Sequence, residues 1–157
     1  MSHILASQSK ASGHLFCLIG GLAVNQYAEP VVTLDADFAV AASLGVAEAL
    51  RGQGFIVEGF AHSINAQLPG SRLRLQITVN SRYASFPARA IEGKIFDVAM
   101  PVACLDDVIR GKLWAFEDPT RRASKRANLI RLCETHPNVI ASIPPALIPE
   151  IDEMREQ

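Results

Sequence analysis

The sequence predicts an α/β or α+β fold, with a mixed sheet of about five strands and helices concentrated at the C-terminal end. Three observations support this. The chain has 157 residues, of which 49% are hydrophobic, enough to bury one sizeable core. Short apolar runs bounded by glycine or proline alternate with helical patterns. The C-terminal third then carries apolar residues at helical spacing. One compact domain is therefore expected.

Five segments have the composition of strands. In chain order they are "HLFCLI", "VVTLDADFAVA", "FIVEGF", "SRLRLQITV" and "KIFDVAM". The fourth alternates strictly, so that leucine, isoleucine and valine occupy one face and arginine, glutamine and threonine the other. A short helix is expected between Gly21 and Pro30. A second helix should follow Ser43 as its N-cap and end at Gly54.

The C-terminal third predicts two helices that pack on the core. The first is amphipathic, begins at Leu105 with two aspartates in its first turn, and carries Lys112 near its middle. The second surrounds "ANLIRLCE", and a turn with a short final helix should follow. The expected organisation is an N-terminal segment 1–13, helical or disordered, a main domain 14–135, and an extension 136–157 packed on that domain.

Composition argues against several classes of function. The formal net charge of −1 provides no broad basic surface for nonspecific binding of nucleic acid. The three cysteines are far apart and indicate reduced thiols, and the scattered histidines disfavour a structural zinc site. No Ser-His-Asp or Cys-His order supports covalent catalysis. The N-terminal stretch lacks a signal-peptide core and no segment is long enough to span a membrane, which predicts a cytoplasmic, soluble protein.

The stretch "LIGGLAVNQYAEPVVTLDADF" carries the strongest chemical signal. Gly20 and Gly21 interrupt the first strand, and Asp35 and Asp37 follow in the second. Side chains alternate along a strand, so the two carboxylates face one side with Cα atoms roughly 6.5 Å apart. Such a pair suits Mg²⁺, which prefers one or two carboxylates together with phosphate oxygens. The glycine turn brings backbone N–H groups close enough to contact a phosphate.

Each part has an ordinary explanation when it is taken alone. A Gly-Gly pair is commonly a tight turn, and a D-x-D on a strand is commonly a solvated edge. The dinucleotide-binding fingerprint is excluded because "GGLAVN" lacks G-x-G-x-x-G. The order and separation of the two parts together favour a nucleotide site.

These residues resemble the polymerase-β-like nucleotidyltransferase superfamily, which has a G-G or G-S turn, a short helix and then D-x-D on the next strand. Thr33, two residues before the first aspartate, also fits. More narrowly, the chain is similar to small bacterial nucleotidyltransferases related to AbiEii-type toxins. That likeness includes "LDDVIRGKLWAFEDPTRRASKR", a helix with an inward lysine followed by a basic loop. The resemblance runs from about Leu15 to Leu132.

The resemblance implies a metal-dependent transfer of a nucleoside monophosphate from an NTP to an acceptor hydroxyl. Asp35 and Asp37 would hold Mg²⁺ or Mn²⁺, and Gly20, Gly21 and Thr33 would border the nucleotide. Lys112, Arg121 and Lys125 would contact the triphosphate. The acceptor is left open among RNA, a protein and a small molecule, and a partner protein is also left open. Two alternatives need no ligand. Lys112 is a surface lysine whose stem lies along the core, and the basic cluster of Arg121, Arg122, Lys125 and Arg126 is a solvated helix start.

Two departures from the family pattern favour a rival interpretation. A third carboxylate is usual on a neighbouring strand, where this chain has Gln76, and Asn128 stands where an aspartate follows the basic loop. Asp97 is a candidate replacement on a later strand. The rival is a catalytically degenerate nucleotide- or partner-binding module of the same fold, antitoxin-like or regulatory. A plain structural domain is a weaker third hypothesis.

Overall fold

The computed structural model describes residues 15–28, 30, 32–116 and 122–149. The predicted N-terminal segment 1–13 lies outside this range, as does the end of the predicted extension. The described part is an α+β fold built on one mixed sheet. Its strands are β1 Phe16–Ile19, β2 Asp35–Val40, β3 Ile56–Gly59, β4 Ser63–Gln67, β5 Arg74–Thr78, β6 Ile91–Ile95 and β7 Val98–Val102.

The order of strands across the sheet is β3-β4-β5-β2-β1-β7-β6. β2 lies at its centre, antiparallel to β1 and parallel to β5. Alternation in these strands is as predicted: Ala36, Phe38, Leu75 and Ile77 are buried on one face. The opposite face of β2 and β5 therefore carries polar side chains. Alternation along "LDADF" predicts that Leu34 points into the core with Ala36 and Phe38, but it is half exposed just before β2.

The expected count of about five strands was wrong, since the described residues form seven. The segment "KIFDVAM" is not one strand but the turn and flanks of the β6–β7 hairpin, where Phe96 and Asp97 have φ values of 50° and 61°. Phe96 gives no signal for such a turn, and Asp97 is followed by valine rather than by the glycine of an Asp-Gly turn. β4 was missed because "SINAQ" has only two apolar residues and an exposed Asn65 at its centre.

Four helices accompany the sheet in the described part of the chain. They are α1 Gly20–Val24, α2 Val46–Gly52, α3 Leu105–Phe116 and α4 Arg122–Thr135. Buried residues of α3 and α4 join the core formed by the sheet, as predicted for the C-terminal helices; they include Val108, Ile109, Leu132 and Cys133. Two short 3₁₀ turns, Pro137–Ser142 and Pro145–Leu147, follow α4.

The predicted N-cap of α2 was wrong. The helix begins at Val46 after Gly45, whose φ of 81° is left-handed, and no side chain caps it. Ser43 contributes only its carbonyl, which accepts a hydrogen bond from the Val46 N–H. Gly54 does follow the helix end with a φ of 92°. Across the part of the chain that the structure describes, no helix is both long and apolar enough to cross a membrane.

Candidate nucleotide site

The glycine turn and the second aspartate are in direct contact. β1 ends at Ile19, which lies opposite Asp37 in the antiparallel register, and α1 begins at Gly20 with a φ of +72°. A Cβ atom added to Gly20 would lie 2.9 Å from the Cβ of Asp37 and closer still to its carboxylate. Only glycine fits both this backbone conformation and this space. Gly21 has open space around it and makes no such contact.

Asp35 shares the face of Asp37 but has a different environment. Its carboxylate pairs with Arg74, with 2.8 Å from Nε to Oδ1, and the two residues are opposite each other in the parallel register of β2 and β5. The side chain of Asp35 is 52% exposed, so the pair is a solvated one of about 0–1 kcal/mol. The hydroxyl of Thr33 accepts a hydrogen bond from the Asp35 N–H at 3.2 Å, which fixes the entry into β2.

Lys112 faces the same cavity as Asp37. This cavity has a volume of about 380 Å³ and is lined by Gly20, Asp37, Gln76 and Lys112, together with the polar residues Ser63, Thr78 and Asn80. Lys112 is only 2% exposed, so its side chain is enclosed within the wall formed by α3. The alternative of a surface lysine lying along the core is therefore not what the structure shows. Its contact with a triphosphate remains a prediction.

An aromatic cluster forms another part of the cavity wall. Tyr83 and Trp114 meet edge to face with ring centroids 5.1 Å apart, and Phe86 stacks on Trp114 at 5.7 Å. The guanidinium of Arg82 lies 4.6 Å from the Trp114 ring centroid, a cation–π distance. Trp114 and Tyr83 thus pack on each other while also bordering the cavity.

An ion-pair cluster surrounds the buried carboxylate of Asp107, which lines the same cavity as Lys112. Asp107 has no solvent exposure, and Arg89 donates to both of its carboxylate oxygens, at 2.9 and 3.0 Å. Arg110, one turn along α3, also pairs with it. The bidentate Arg89 contact joins α3 to the connection between β5 and β6, which carries Tyr83.

Two thiols, one buried and one partly buried, are held in the protonated form. Burial raises the pKa of Cys17 to about 12, and burial is also the largest cause of the raised pKa of Cys104. Protonated thiols are poor nucleophiles, which agrees with the absence of a covalent-catalysis motif. Tyr27 donates its hydroxyl to the Ala103 carbonyl at 2.6 Å, and burial raises its pKa to about 12.

The position of the usual third carboxylate is occupied by an amide. Gln76 lies directly opposite Asp37 in the β2–β5 register and lines the same cavity. The suggestion that Asp97 replaces this acid was wrong. Asp97 is in the exposed β6–β7 turn, whose Phe96 lines a small apolar cavity with Ala36 and other residues of the opposite sheet face.

The other predicted residues lie farther along the chain. The Asn128 side chain accepts a hydrogen bond from Arg131 at 3.0 Å, and Arg131 also donates to Asn25. Asn128 therefore helps to tie α4 to the end of α1. Arg121 lies outside the described residues. For Lys125 the structure gives a helical backbone only.

The donor set fits one divalent ion but not a centre with three carboxylates. Asp37 and Asp35 supply oxygen ligands on one face, and phosphate oxygens would complete an Mg²⁺ shell. Among the residues that the structure describes, no group of three or more histidine, cysteine, aspartate or glutamate side chains is placed to hold a metal. Arg74 moreover competes for Asp35.

Sequence reasoning missed several residues of the site. His62, Thr78 and Asn80 line the cavity from the start of β4 and the end of β5. Asp107 was noted only for its place in the first turn of α3. The i, i+3 spacing of Asp107 and Arg110 was a signal for an ion pair, but nothing local indicates Arg89.

Comparison with known proteins identifies the fold. No family model matches the sequence, and no curated protein matches it. Solved structures do match. The antibiotic-resistance factor ANT(2'')-Ia superimposes with a TM-score of 0.56 at 13% identity, over 99% of this chain and 89% of that one.

Two further structures agree with this match. ANT(2'')-Ia in complex with adenylyl-2''-tobramycin gives a TM-score of 0.53 at 15% identity, over 85% and 86% of the two chains. An antigenic nucleotidyltransferase-like protein from Paracoccidioides brasiliensis gives 0.53 at 14% identity, over 83% and 72%. The narrower likeness to AbiEii-type toxins is untested by these matches and stays a prediction. The chain has the nucleotidyltransferase fold.

Proposed function

We propose that this protein transfers a nucleoside monophosphate from an NTP to an acceptor hydroxyl, with Mg²⁺ or Mn²⁺. The observation that carries the proposal is the contact between Gly20 and Asp37 in a cavity that also encloses Lys112. A turn without a side chain leaves room for a phosphate beside a carboxylate. A buried ammonium group on the other wall offsets the charge of the triphosphate.

The residues divide the chemistry as follows. Asp37, assisted by Asp35, would hold the divalent ion, which neutralises phosphate charge and polarises the leaving group when bound. Lys112 would contact the triphosphate, and the aromatic wall near Trp114 would border the nucleoside. The acceptor oxygen forms a bond to the α-phosphorus, and the bond to the bridging oxygen breaks. Pyrophosphate leaves with the electron pair, and the acceptor proton passes to water. Catalysis here is positioning and charge neutralisation.

A second candidate is nucleotide binding without turnover. Gln76 in place of an acid and the Arg74–Asp35 ion pair favour it, because both reduce the carboxylate charge available to metal ions. In this second candidate the protein is an antitoxin-like or regulatory module of the same fold, and it binds an NTP or a partner protein.

One assay separates the two candidates. Each α-labelled NTP is incubated with Mg²⁺, the full chain and a cellular extract fractionated into RNA, protein and small molecules. If the protein transfers the nucleotide, we expect label in one fraction and no label with Asp37→Asn. Labelling should be unchanged with the exposed control Asp106→Asn. If no fraction becomes labelled although the NTP still binds, the second candidate is favoured. This conclusion is strongest if Gln76→Glu introduces transfer while Asn65→Asp on the adjacent strand does not. An absence of both binding and transfer contradicts both.

A further inference from the structure

Arg74 lies on the same face of the sheet as the two proposed metal ligands. In the parallel register of β2 and β5, Asp35 is opposite Arg74 and Asp37 is opposite Gln76. Side chains two residues apart on a strand share a face, so these four side chains lie on one side of the sheet. All four line one concave surface with a volume of about 630 Å³, and this surface shares Asp37 and Gln76 with the nucleotide cavity.

The ion pair between Arg74 and Asp35 is one that can open. Its Nε–Oδ1 distance is 2.8 Å, and the side chains of Arg74 and Asp35 are 64% and 52% exposed. A pair with this exposure contributes little to stability, because water solvates both charges when they separate. The guanidinium has five N–H donors in a planar fork, and its ion pair with Asp35 is made through Nε. Arg74 can therefore exchange the carboxylate for another anion.

The formal charge of these four side chains differs from that of a three-carboxylate centre by the charge of one divalent ion. Gln76 is neutral at the position where a third carboxylate is usual, and Arg74 adds a positive charge beside Asp35. Each of the two changes makes the site more positive by one elementary charge. Arginine stays protonated in proteins, so its contribution is permanent. Together the two changes have the same effect on the charge as a second Mg²⁺ would have.

Building on the proposed function, we propose that Arg74 replaces a second divalent ion at this site. When the nucleotide binds with one Mg²⁺, Asp35 and Asp37 become ligands of that ion, and Arg74 turns from Asp35 to the triphosphate. A guanidinium contacts phosphate oxygens through two parallel N–H···O bonds, so Arg74 would orient the triphosphate as well as neutralise part of its charge. The site then uses one divalent ion and one arginine.

The test measures binding to the full chain of Mn²⁺ alone and of Mn²⁺ together with a nucleotide. The nucleotide probes are the α,β-methylene analogues of ATP, GTP, CTP and UTP, which bind without being transferred to an acceptor. Electron paramagnetic resonance detects free Mn²⁺ and so gives the number of ions bound, and calorimetry gives the affinity for the analogue. We expect one Mn²⁺ in each complex of the native chain with an analogue.

Arg74→Gln should have opposite effects on the two ligands. Mn²⁺ alone should bind at least about threefold more tightly, because Asp35 is released from its ion pair. With saturating Mn²⁺, the analogue should bind at least about fivefold more weakly, because a charge-assisted contact is lost. Arg74→Lys should regain part of this affinity, since it keeps the charge but not the planar fork. The matched control Arg72→Gln, exposed two residues earlier, should change neither affinity.

Three results would overturn the proposal. Two Mn²⁺ ions in the native complex would show that the second ion is present after all. Equal or tighter binding of the analogue to Arg74→Gln would show that Arg74 does not contact the triphosphate. An unchanged affinity of Arg74→Gln for Mn²⁺ alone would show that Arg74 and the ion do not compete for Asp35. Failure of the proposed function gives a different result, in which no analogue binds to the native chain even with Mn²⁺.

Discussion

At the residue scale, the site depends on the absence of a side chain at Gly20. The positive φ of this residue and the proximity of the Asp37 carboxylate both follow from the abrupt change of direction between β1 and α1. Any larger residue would be strained by its backbone and would displace the carboxylate. The conformation of the turn and the position of the proposed metal ligand are thus set by the same atoms.

Gly20→Ala tests this dependence. We expect it to lower the free energy of unfolding by about 1–3 kcal/mol, because alanine disfavours a left-handed φ and its Cβ would overlap Asp37. Affinity for Mg²⁺ and NTP should fall as well. Urea unfolding and calorimetric titration measure the two effects.

Gly21→Ala is the matched control. Its Cβ would meet no atom within 4 Å, and it lies inside α1, so stability should be unchanged or slightly raised. Equal effects of the two substitutions would contradict the role assigned to Gly20.

At this scale, the sequence predicted which side chains of a single strand share a face. The common face of Asp35 and Asp37 followed from alternation alone, and it is observed. The pairing of Asp35 with Arg74 and the position of Gln76 opposite Asp37 could not be predicted, because they depend on the register between strands that are distant in sequence. The burial of Lys112 likewise depends on how α3 packs rather than on its amphipathic pattern.

At the scale of elements, α3 is fixed in place by one buried carboxylate. Asp107 is paired with Arg110 on its own helix and with Arg89 on the β5–β6 connection. Since Lys112 and Trp114 lie farther along the same helix, the position of the cavity wall depends on this cluster.

Asp107→Asn should therefore destabilise the protein by about 2 kcal/mol, because a buried group loses charge-assisted hydrogen bonds while its half-exposed arginine partners can turn to water. Urea unfolding measures the change. The neighbouring exposed Asp106→Asn should change stability little. If both substitutions cost the same, the cluster does not hold the helix.

Strands and helices whose apolar residues recur in a strong periodic pattern were predictable from the sequence, whereas elements with a weak pattern were not. β5 and α3 were expected within a few residues of where they occur, because their apolar residues recur with a clear period of two or of 3.6. β4 does alternate, but Ile64 is its only large apolar side chain, and the β6–β7 turn places Phe96, which does not favour that conformation, at a positive φ. These two elements account for the difference between five strands and seven.

At the scale of the whole molecule, buried titratable groups predict a loss of stability in alkali. The pKa of Cys17 rises from 9.0 in the ordinary thiol to about 12 in the fold, and that of Tyr27 from 10.0 to about 12. Above pH 9.0 the unfolded chain releases protons that the folded chain retains. The free energy of unfolding should be constant with respect to these groups below pH 9.0 and should fall toward pH 12.

Urea unfolding at successive pH values across that range tests whether the free energy of unfolding falls with pH and which group causes the fall. Cys17→Ala removes one of the titrating groups, so the decline with pH should be shallower than in the native chain. Val24→Ala, an equally buried truncation without a proton to lose, should be less stable overall but should keep the native slope. A slope that is the same in Cys17→Ala and in the native chain would exclude the thiol as a source.

The central claim is that Gly20, Asp37 and Lys112 together form a divalent-ion-dependent NTP site. Calorimetric titration of each NTP into the full chain, with and without Mg²⁺, measures this directly. We expect binding only with Mg²⁺, a loss of at least about tenfold in affinity in Asp37→Asn, and no change in Asp106→Asn. Equal affinity in Asp37→Asn and the native chain, or binding that does not require the ion, would contradict the claim.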